Sequence, residues 1–467
     1  MNVPLILLVG AIVTAGFAFL LRAKAHHAAW IGAGGAFLLG VFALAVPLEE
    51  AFDFAVLQVR FNNTFQVLGR ALLLDEPARG FIGFLFILTA VLLTSSAYAD
   101  ANRFFPSLVL LLTGVCSAAM MMKPFLYAAI LMELAAMLAV LILVAPEYPA
   151  RRAAMRLLFV FSLAMMAILL AGWLLGVVGV TGATPEIARW TAALLAVGFA
   201  VLMAVPPFHY WLSVAADESH PYVVVTLLLF MQTLGVFFLL RFLDTYEWLR
   251  TQPSTFEGIR LAGVAMVWFG SLMMLGQRRM TRVIAYAMIA DLGIILMAAG
   301  MGDASGLELM MQLNAARVPG IVLWTTSLTV LMRIVGDDTV EQLQGVAHSH
   351  PLRVTFIVLG MAAVFSVPFA ASFPGRWMLL DVMAGSDGLG VLTMLAGWMM
   401  SSIVLVRWYL AMRGKGEGGD VQEQVREGSF ILNILQLALV LGLGLFPQAV
   451  LPWMETIIDG LSNLLPS

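Results

Sequence analysis

Along this chain apolar residues come in long blocks, not in alternation with polar ones. LILLVGAIVTAGFAFLL near the start and VVVTLLLFMQTLGVFFLL in the middle carry no charge at all. As a helix, a block of about 20 such residues crosses a hydrocarbon core ~30 Å thick. In lipid, only helices and closed barrels satisfy every backbone group. A barrel needs a two-residue apolar–polar alternation. These blocks lack it, so the pattern predicts an all-α, polytopic membrane helical bundle. About 14 transmembrane helices are expected, over 3–21, 28–48, 80–98, 104–122, 125–145, 155–180, 188–212, 221–243, 259–277, 281–300, 305–333, 353–383, 388–412 and 429–450. A longer polar segment, 49–79, follows the second, and the densest charged loop is 413–428. The first block has no charge ahead of its apolar core and reads as a spanning helix, not a cleaved leader.

Two of the expected helices carry breaks. The seventh holds Pro206-Pro207 in AVPPFHYW, and the twelfth holds Pro368 and Pro374 in SVPFAASFPGRW. Proline removes a rung of the helical ladder. At membrane depth the freed groups are tolerated where they face protein or a wet cavity. The breaks lie five helices apart and each runs into a tryptophan. That spacing predicts a five-helix unit used twice, helices 4–8 and 9–13. An odd number of helices gives the two copies opposite topology, a build used by ion-translocating machines. The chain divides accordingly into 1–98 with helices 1–3, a first repeat over 104–243, a second over 259–412, and 413–467 with the charged loop and last helix.

Composition supports the membrane reading. Of 467 residues, 62% are hydrophobic and 11% charged, where a soluble domain carries about 25% charged residues. A mean hydropathy of +0.97 excludes a soluble class. The net charge of −3, with no basic block, gives no reason to expect a nucleic-acid partner. The single cysteine, Cys116, lies in an apolar run and cannot alone make an internal disulfide, a zinc site or an iron–sulfur cluster. Arg22, Lys24, Arg151, Arg152, Arg156, Arg278, Arg279, Arg282, Arg353, Arg413, Lys415 and Arg426 fall in odd-numbered loops, against chiefly Arg60, Arg70 and Arg79 in an even one. The positive-inside rule then puts odd loops in the cytoplasm and both termini on the other side.

A charge at bilayer depth is costly and marks a functional candidate. Glu133 is the sharpest, with no other charge between 124 and 146. It reads as a proton relay or as a structural hydrogen bond to a neighbouring helix. Asp291 sits mid-helix in VIAYAMIADLGIILMAAG and Arg317 inside LMMQLNAARVPGIVLW on the next helix. These two are expected to pair across the helix interface, as a relay or as a structural ion pair. Arg376 follows the second break, with Asp381 five residues on. Arginine keeps its proton at any accessible pH, so it anchors charge but does not carry protons. Lys123, beside Pro124, is expected to reach the membrane interface. His209 follows the double proline and is either a proton carrier or a hydrogen-bonded residue of the broken turn. The remaining histidines lie in loops. His348 and His350 lack the further ligands of a metal site. The chain shows no phosphate-binding glycine loop, haem motif or catalytic triad.

These residues resemble a known family. The chain is similar to the antiporter-like membrane subunits shared by respiratory complex I, membrane-bound hydrogenases and the multi-subunit sodium/proton antiporters, and is most like the N-type subunit. The resemblance covers roughly 80–413. It is carried, in order, by LMEL around Glu133, GFAVLMAVPPFHYWL at 198–212, GVFFLLRF at 235–242, RVIAYAMIADLG at 282–293, SVPFAASFPGR at 366–376 and SSIVLVRWYL at 401–410. The departures are as telling. The family's helix-seven lysine falls on Leu202 and its helix-eight lysine on Thr233, beside Gln232. The helix-ten histidine is Asp291. In helix eleven Leu313 and Asn314 remain, but the histidine is Ala315 and the lysine falls on Pro319. Arg376 stands at the helix-twelve lysine.

The resemblance implies a divergent, ion-translocating subunit that couples electron transfer in partner chains to ion, expectedly proton, movement. Glu133, Asp291, Arg317, Arg376 and His209 would form the charge relay. No cofactor is expected on this chain; iron–sulfur clusters, flavin or quinone would sit in partner subunits. The setting implied is an energy-transducing membrane, a bacterial or archaeal inner membrane. Two other readings are a scaffold subunit whose channel is closed at Leu202 and Pro319, and a stand-alone secondary transporter.

Overall fold

The computed structural model describes residues 2–46, 51–54, 57–67, 69–144, 150–181, 185–414, 427–461 and 463–464. Helices run in the order α1 Val3–Leu20, α2 Ala25–Ala45, α3 Glu76–Ala99, α4 Phe105–Met121, α5 Ala128–Leu143, α6 Arg151–Thr181, α7 Pro185–Leu202, α8 Tyr210–Glu218, α9 Pro221–Thr245, α10 Glu247–Arg250, α11 Pro253–Gly276, α12 Met280–Ala299 and α13 Ala304–Val335. They continue with α14 Val340–Leu343, α15 Val346–Ser349, α16 Pro351–Val364, α17 Phe373–Ala384, α18 Gly388–Arg413, α19 Glu427–Leu445 and α20 Leu451–Gly460. Proline opens the first turn of many of these helices, α3, α9 and α16 among them, where its missing N–H costs nothing. Asp75, Asp303 and Asp387 cap α3, α13 and α18 by accepting from Ala78 N (3.1 Å), Gly306 N (2.7 Å) and Gly390 N (3.0 Å), which satisfies donors the helix leaves free.

Among the described residues eleven helices are long and apolar enough to cross a membrane. Three of the fourteen expected spans fall outside that set. Phe105–Met121 is apolar but shorter, and the two proline-bearing spans are each split, into α7 with α8 and α16 with α17. The polar segment after α2 holds short antiparallel hairpins, Ala51–Phe54 with Leu57–Arg60 and Thr64–Val67 with Arg70–Leu73. Met122–Lys123 pairs with the second hairpin. Lys123 is paired: its Nζ lies 3.4 Å from Asp75, which also takes Arg241 at 2.7 Å. Most of the expected charged loop, residues 415–426, lies outside the described residues. Beyond the last expected span the chain forms α20, which packs on α3: Trp453 stacks on Phe84 at 4.9 Å and donates to the Gly80 carbonyl at 3.2 Å.

The core is built of α3, α9, α12 and α13. The most apolar stretch of α9 is entirely buried. Helices α1, α2, α5, α6, α18 and α19 present one apolar face outward, with Leu20, Leu38, Phe159, Met166 and Met399 exposed. Helices α11 and α12 pack backbone against backbone. A Cβ on Gly263 would stand 2.5 Å from the Gly293 carbonyl oxygen, and one on Gly270 2.7 Å from that of Tyr286. Close approach through small residues is how helices gain contact when the solvent is itself apolar. Gly263→Leu is therefore expected to destabilise the chain by about 3 kcal/mol, the top of the overpacking range, because backbone cannot yield as a side chain can. A melting curve in detergent checks this; an unchanged midpoint contradicts it. Helices α13 and α16 are joined likewise, a Cβ on Gly360 falling 2.6 Å from Trp324 N.

The two breaks share one local design. After α7, Met203 N bonds Phe199 O, Ala204 N bonds Val201 O, Val205 N bonds Ala200 O and Phe208 N bonds Val205 O. After α16, Phe365 N bonds Met361 O, Ser366 N bonds Ala363 O, Val367 N bonds Ala362 O and Ala370 N bonds Val367 O. The pattern matches residue for residue. Ala204 and Ser366, at equivalent places, both take left-handed backbone at φ 57° and 56°, a conformation non-glycine residues seldom adopt. The next residue but one is proline in each, Pro206 and Pro368.

Candidate functional site

The second break positions a guanidinium in the core. The turn after α16 bonds the carbonyls of Met361, Ala362 and Ala363 and leaves that of Val364 to another donor. Arg376, on the first turn of α17, reaches back and donates from Nη2 to Val364 O at 2.9 Å. A cation at a helix C-terminus is also favoured by the helix dipole. The same Nη2 donates to Asp291 Oδ1 at 2.5 Å. Asp291 comes from the middle of α12 and is 3% exposed, Arg376 4%.

Arg317 of α13 approaches the same carboxylate from the other side, Nη1 to Oδ2 at 3.8 Å. The expected Asp291–Arg317 pair is thus present, but Asp291 makes its close contact with Arg376. Arg317 is 1% exposed and is held chiefly by neutral oxygens. It donates to Gln232 Oε1 at 3.1 Å, Thr233 Oγ1 at 3.2 Å and Asn314 Oδ1 at 2.8 Å. Gln232 is fixed in turn by donating to Met288 O at 3.3 Å. One carboxylate and two guanidiniums so tie α9, α12, α13 and α17 together with a local charge of +1. A forked guanidinium suits this role, since its donors lie in one plane with fixed directions.

The other candidates lie elsewhere. Glu133 of α5 faces α6, where Ser162 Oγ donates to its Oε1 at 2.5 Å; Oε2 is buried without a partner. The residue itself is half-buried, beside the outward-facing Ile130, Leu134 and Met137. His209 sits in the first break, directly ahead of α8. Its ring lies 4.4 Å from that of Phe269 and 6.2 Å from that of Tyr286, and its Nδ1 is buried without a hydrogen bond. Tyr286 bonds Ser213 at 2.9 Å. Leu202 ends α7 fully packed at 2% exposure, its Cβ 3.9 Å from where a Cβ on Gly235 would stand. Asp381 is exposed. So the structure brings together Asp291, Arg317 and Arg376, and leaves Glu133 and His209 on other helices.

Asn314, Gln232 and Thr233 were not read from the sequence as partners of Arg317. Asn314 left a signal, being polar and three residues before Arg317, hence on the same helix face. Ser162 left none, since serine is ordinary in a membrane helix. Among the described residues no group of three or more His, Cys, Asp or Glu could hold a metal ion.

Known proteins share this build. Residues 126–403 match the profile of the family described as NADH:quinone oxidoreductase/Mrp antiporter, TM. NADH-quinone oxidoreductase subunit N 1 of Solidesulfovibrio magneticus is 27% identical over 205 residues, 43% of this chain and 44% of that protein, so the match spans under half of the relative's length. Two solved structures agree in fold. A chain of the membrane-bound sulfane sulfur reductase, an archaeal respiratory membrane complex, superposes with a TM-score of 0.80 at 17% identity, over 99% of this chain and 100% of that one. A chain of respiratory complex I from Thermus thermophilus with bound NADH gives 0.76 at 18% identity, over 98% and 100%. The profile takes in more than half of the chain, which is a multi-pass membrane protein belonging to the NADH:quinone oxidoreductase/Mrp antiporter transmembrane family.

Proposed function

We propose that this chain is a divergent, antiporter-like subunit that moves ions, protons by preference, within a multi-subunit membrane redox complex of the complex I type. One observation carries the reading: a carboxylate buried in the membrane core is shared by two guanidiniums at a broken helix. An inert spacer has no need of so costly a group. Asp291 is the titratable member, Arg376 its fixed partner, and Arg317 the fixed charge that stands in for the missing lysines. Asp291 contacts Arg376 at 2.5 Å and faces Arg317 at 3.8 Å, so a charge change in a neighbouring subunit can bias which of them it neutralises. Glu133 and His209 serve as separate proton-bearing stations.

Counting the split helices, the chain makes fourteen spans with two inverted five-helix repeats, 104–243 and 259–412. The matching bond pattern at Ala204 and Ser366 supports that division. Electron transfer, with any iron–sulfur cluster, flavin or quinone, belongs to partner subunits in an energy-transducing membrane. A scaffold role is the second reading, favoured by the close packing of Leu202 at 2% exposure.

Purification of the tagged chain in mild detergent, with mass spectrometry of what accompanies it, tests the assembly. Redox subunits should co-purify; a lone monomer or homodimer contradicts the reading. Glu133→Gln should lower ion movement through this subunit about a hundredfold, the low end for a positioned proton-transfer group, with assembly intact because the amide oxygen still accepts from Ser162. Unchanged transport in reconstituted vesicles would remove Glu133 from the route.

A further inference from the structure

A pocket of about 180 Å³ opens where α16 and α19 begin. His350, Leu352, Arg353 and Phe356 wall it on one side, Phe430 and Asn433 on the other. The end of α18 reaches the same level, His348 Nε2 standing 3.0 Å from Arg413 O. Phe356 and Phe430 meet edge to face at its inner end, their rings 5.5 Å apart, and Leu352 is exposed at its mouth. The pocket is thus polar at the start of the helices and apolar one turn deeper, the same order as the surface of a bilayer.

The polar part presents two unlike needs. Helix α16 is 14 residues long, and His350 at its N-cap makes no side-chain bond to the first turn. First-turn N–H groups have no acceptor within the helix, and with the helix dipole they attract an anion. Arg353, in that turn, adds positive charge. Across the pocket Asn433 is 1% exposed, and its Oδ1 has no partner. A buried acceptor is costly to leave unpaired. An amide oxygen takes an N–H or O–H donor, which a phosphate diester does not offer. An anion at α16, a donor at Asn433 and an apolar chain along the phenylalanines are therefore wanted within one pocket.

We propose that this pocket is a binding site for phosphatidylethanolamine. The phosphate sits on the first turn of α16, the primary ammonium donates to Asn433 Oδ1, and an acyl chain leaves over Leu352 and Phe356. The bound lipid joins α19 to the helix that ends at the second break. Phosphatidylcholine carries the same phosphate and chains, but its quaternary nitrogen has no hydrogen to donate, so Asn433 distinguishes the two. The site stands whether or not the subunit moves ions.

The full chain, purified in mild detergent and stripped of lipid, is supplied with phosphatidylethanolamine or phosphatidylcholine of identical chains, and native mass spectrometry counts what it retains. One phosphatidylethanolamine should be held about tenfold more tightly than phosphatidylcholine, the effect of one hydrogen bond from a charged donor. Asn433→Leu, similar in size and without the acceptor, should abolish the difference. Equal retention by the unaltered chain, or an undiminished preference in Asn433→Leu, overturns the site. Glycerophosphoethanolamine, the headgroup without chains, should displace the lipid poorly; displacement at equal concentration overturns the lipid as occupant. Should Asn433→Leu not fold, a high-resolution map of the unaltered chain with phosphatidylethanolamine decides. Phosphate density at the first turn of α16 supports the site, and an empty pocket refutes it.

Discussion

Replacing Asp291 by asparagine should cost the fold about 3–5 kcal/mol, the range for breaking a buried ion pair from one side, and stop ion movement through this subunit. The amide keeps the shape of the carboxylate. It removes the one negative charge that Arg376 contacts at 2.5 Å and Arg317 faces at 3.8 Å. Two guanidiniums, each under 5% exposed, are then left without a counter-charge. Arginine cannot escape by losing its proton, so the strain must be met by structural change. Thermal unfolding of the purified chain reads the cost, and vesicle assays of the complex read the transport. A wild-type melting point would mean the carboxylate is not the counter-ion it looks to be.

The double variant Asp291→Leu with Arg376→Met should recover about 1–3 kcal/mol of that loss without recovering any transport. Removing both partners of a buried pair is often neutral or stabilising, because no orphaned charge remains. Arg317 keeps Gln232, Thr233 and Asn314, three oxygens that solvate its charge. The single Asp291→Leu, with Arg376 stranded, should melt well below the double variant. Residues in contact deviate from additivity in this way, and an additive result would show that Asp291 and Arg376 do not act on each other. The pair of readouts separates structure from mechanism: stability returns, transport does not.

Much of this was legible in the sequence. The spanning blocks, the two breaks and the buried charges all follow from hydropathy and proline alone, since lipid permits so few alternatives. What was not legible is which charges meet. Adjacent helices made Arg317 the natural partner for Asp291, yet Arg376 takes the close contact. The reason is the break itself: the turn from Ser366 to Ser372 swings α17 so that its first-turn arginine caps Val364, a folding detail that no spacing rule encodes. His209 lies against Phe269 and Tyr286 instead of a charge for the same reason, as the first break points it towards α11 and α12. Helix α20 was missed because ten residues with Glu455 and Asp459 cannot span a membrane. Its apolar residues Trp453, Met454, Ile457 and Ile458, with Leu461 just past its end, do recur at helical spacing, the mark of a helix lying on others.

The most direct test of the central claim is the number of ions moved per electron transferred by the assembled complex in sealed vesicles, unaltered and with Asp291→Leu/Arg376→Met in this subunit. If Asp291 is the working charge, the ratio falls by this subunit's share while electron transfer continues. An unchanged ratio in a fully assembled complex would contradict the account and leave the chain a scaffold.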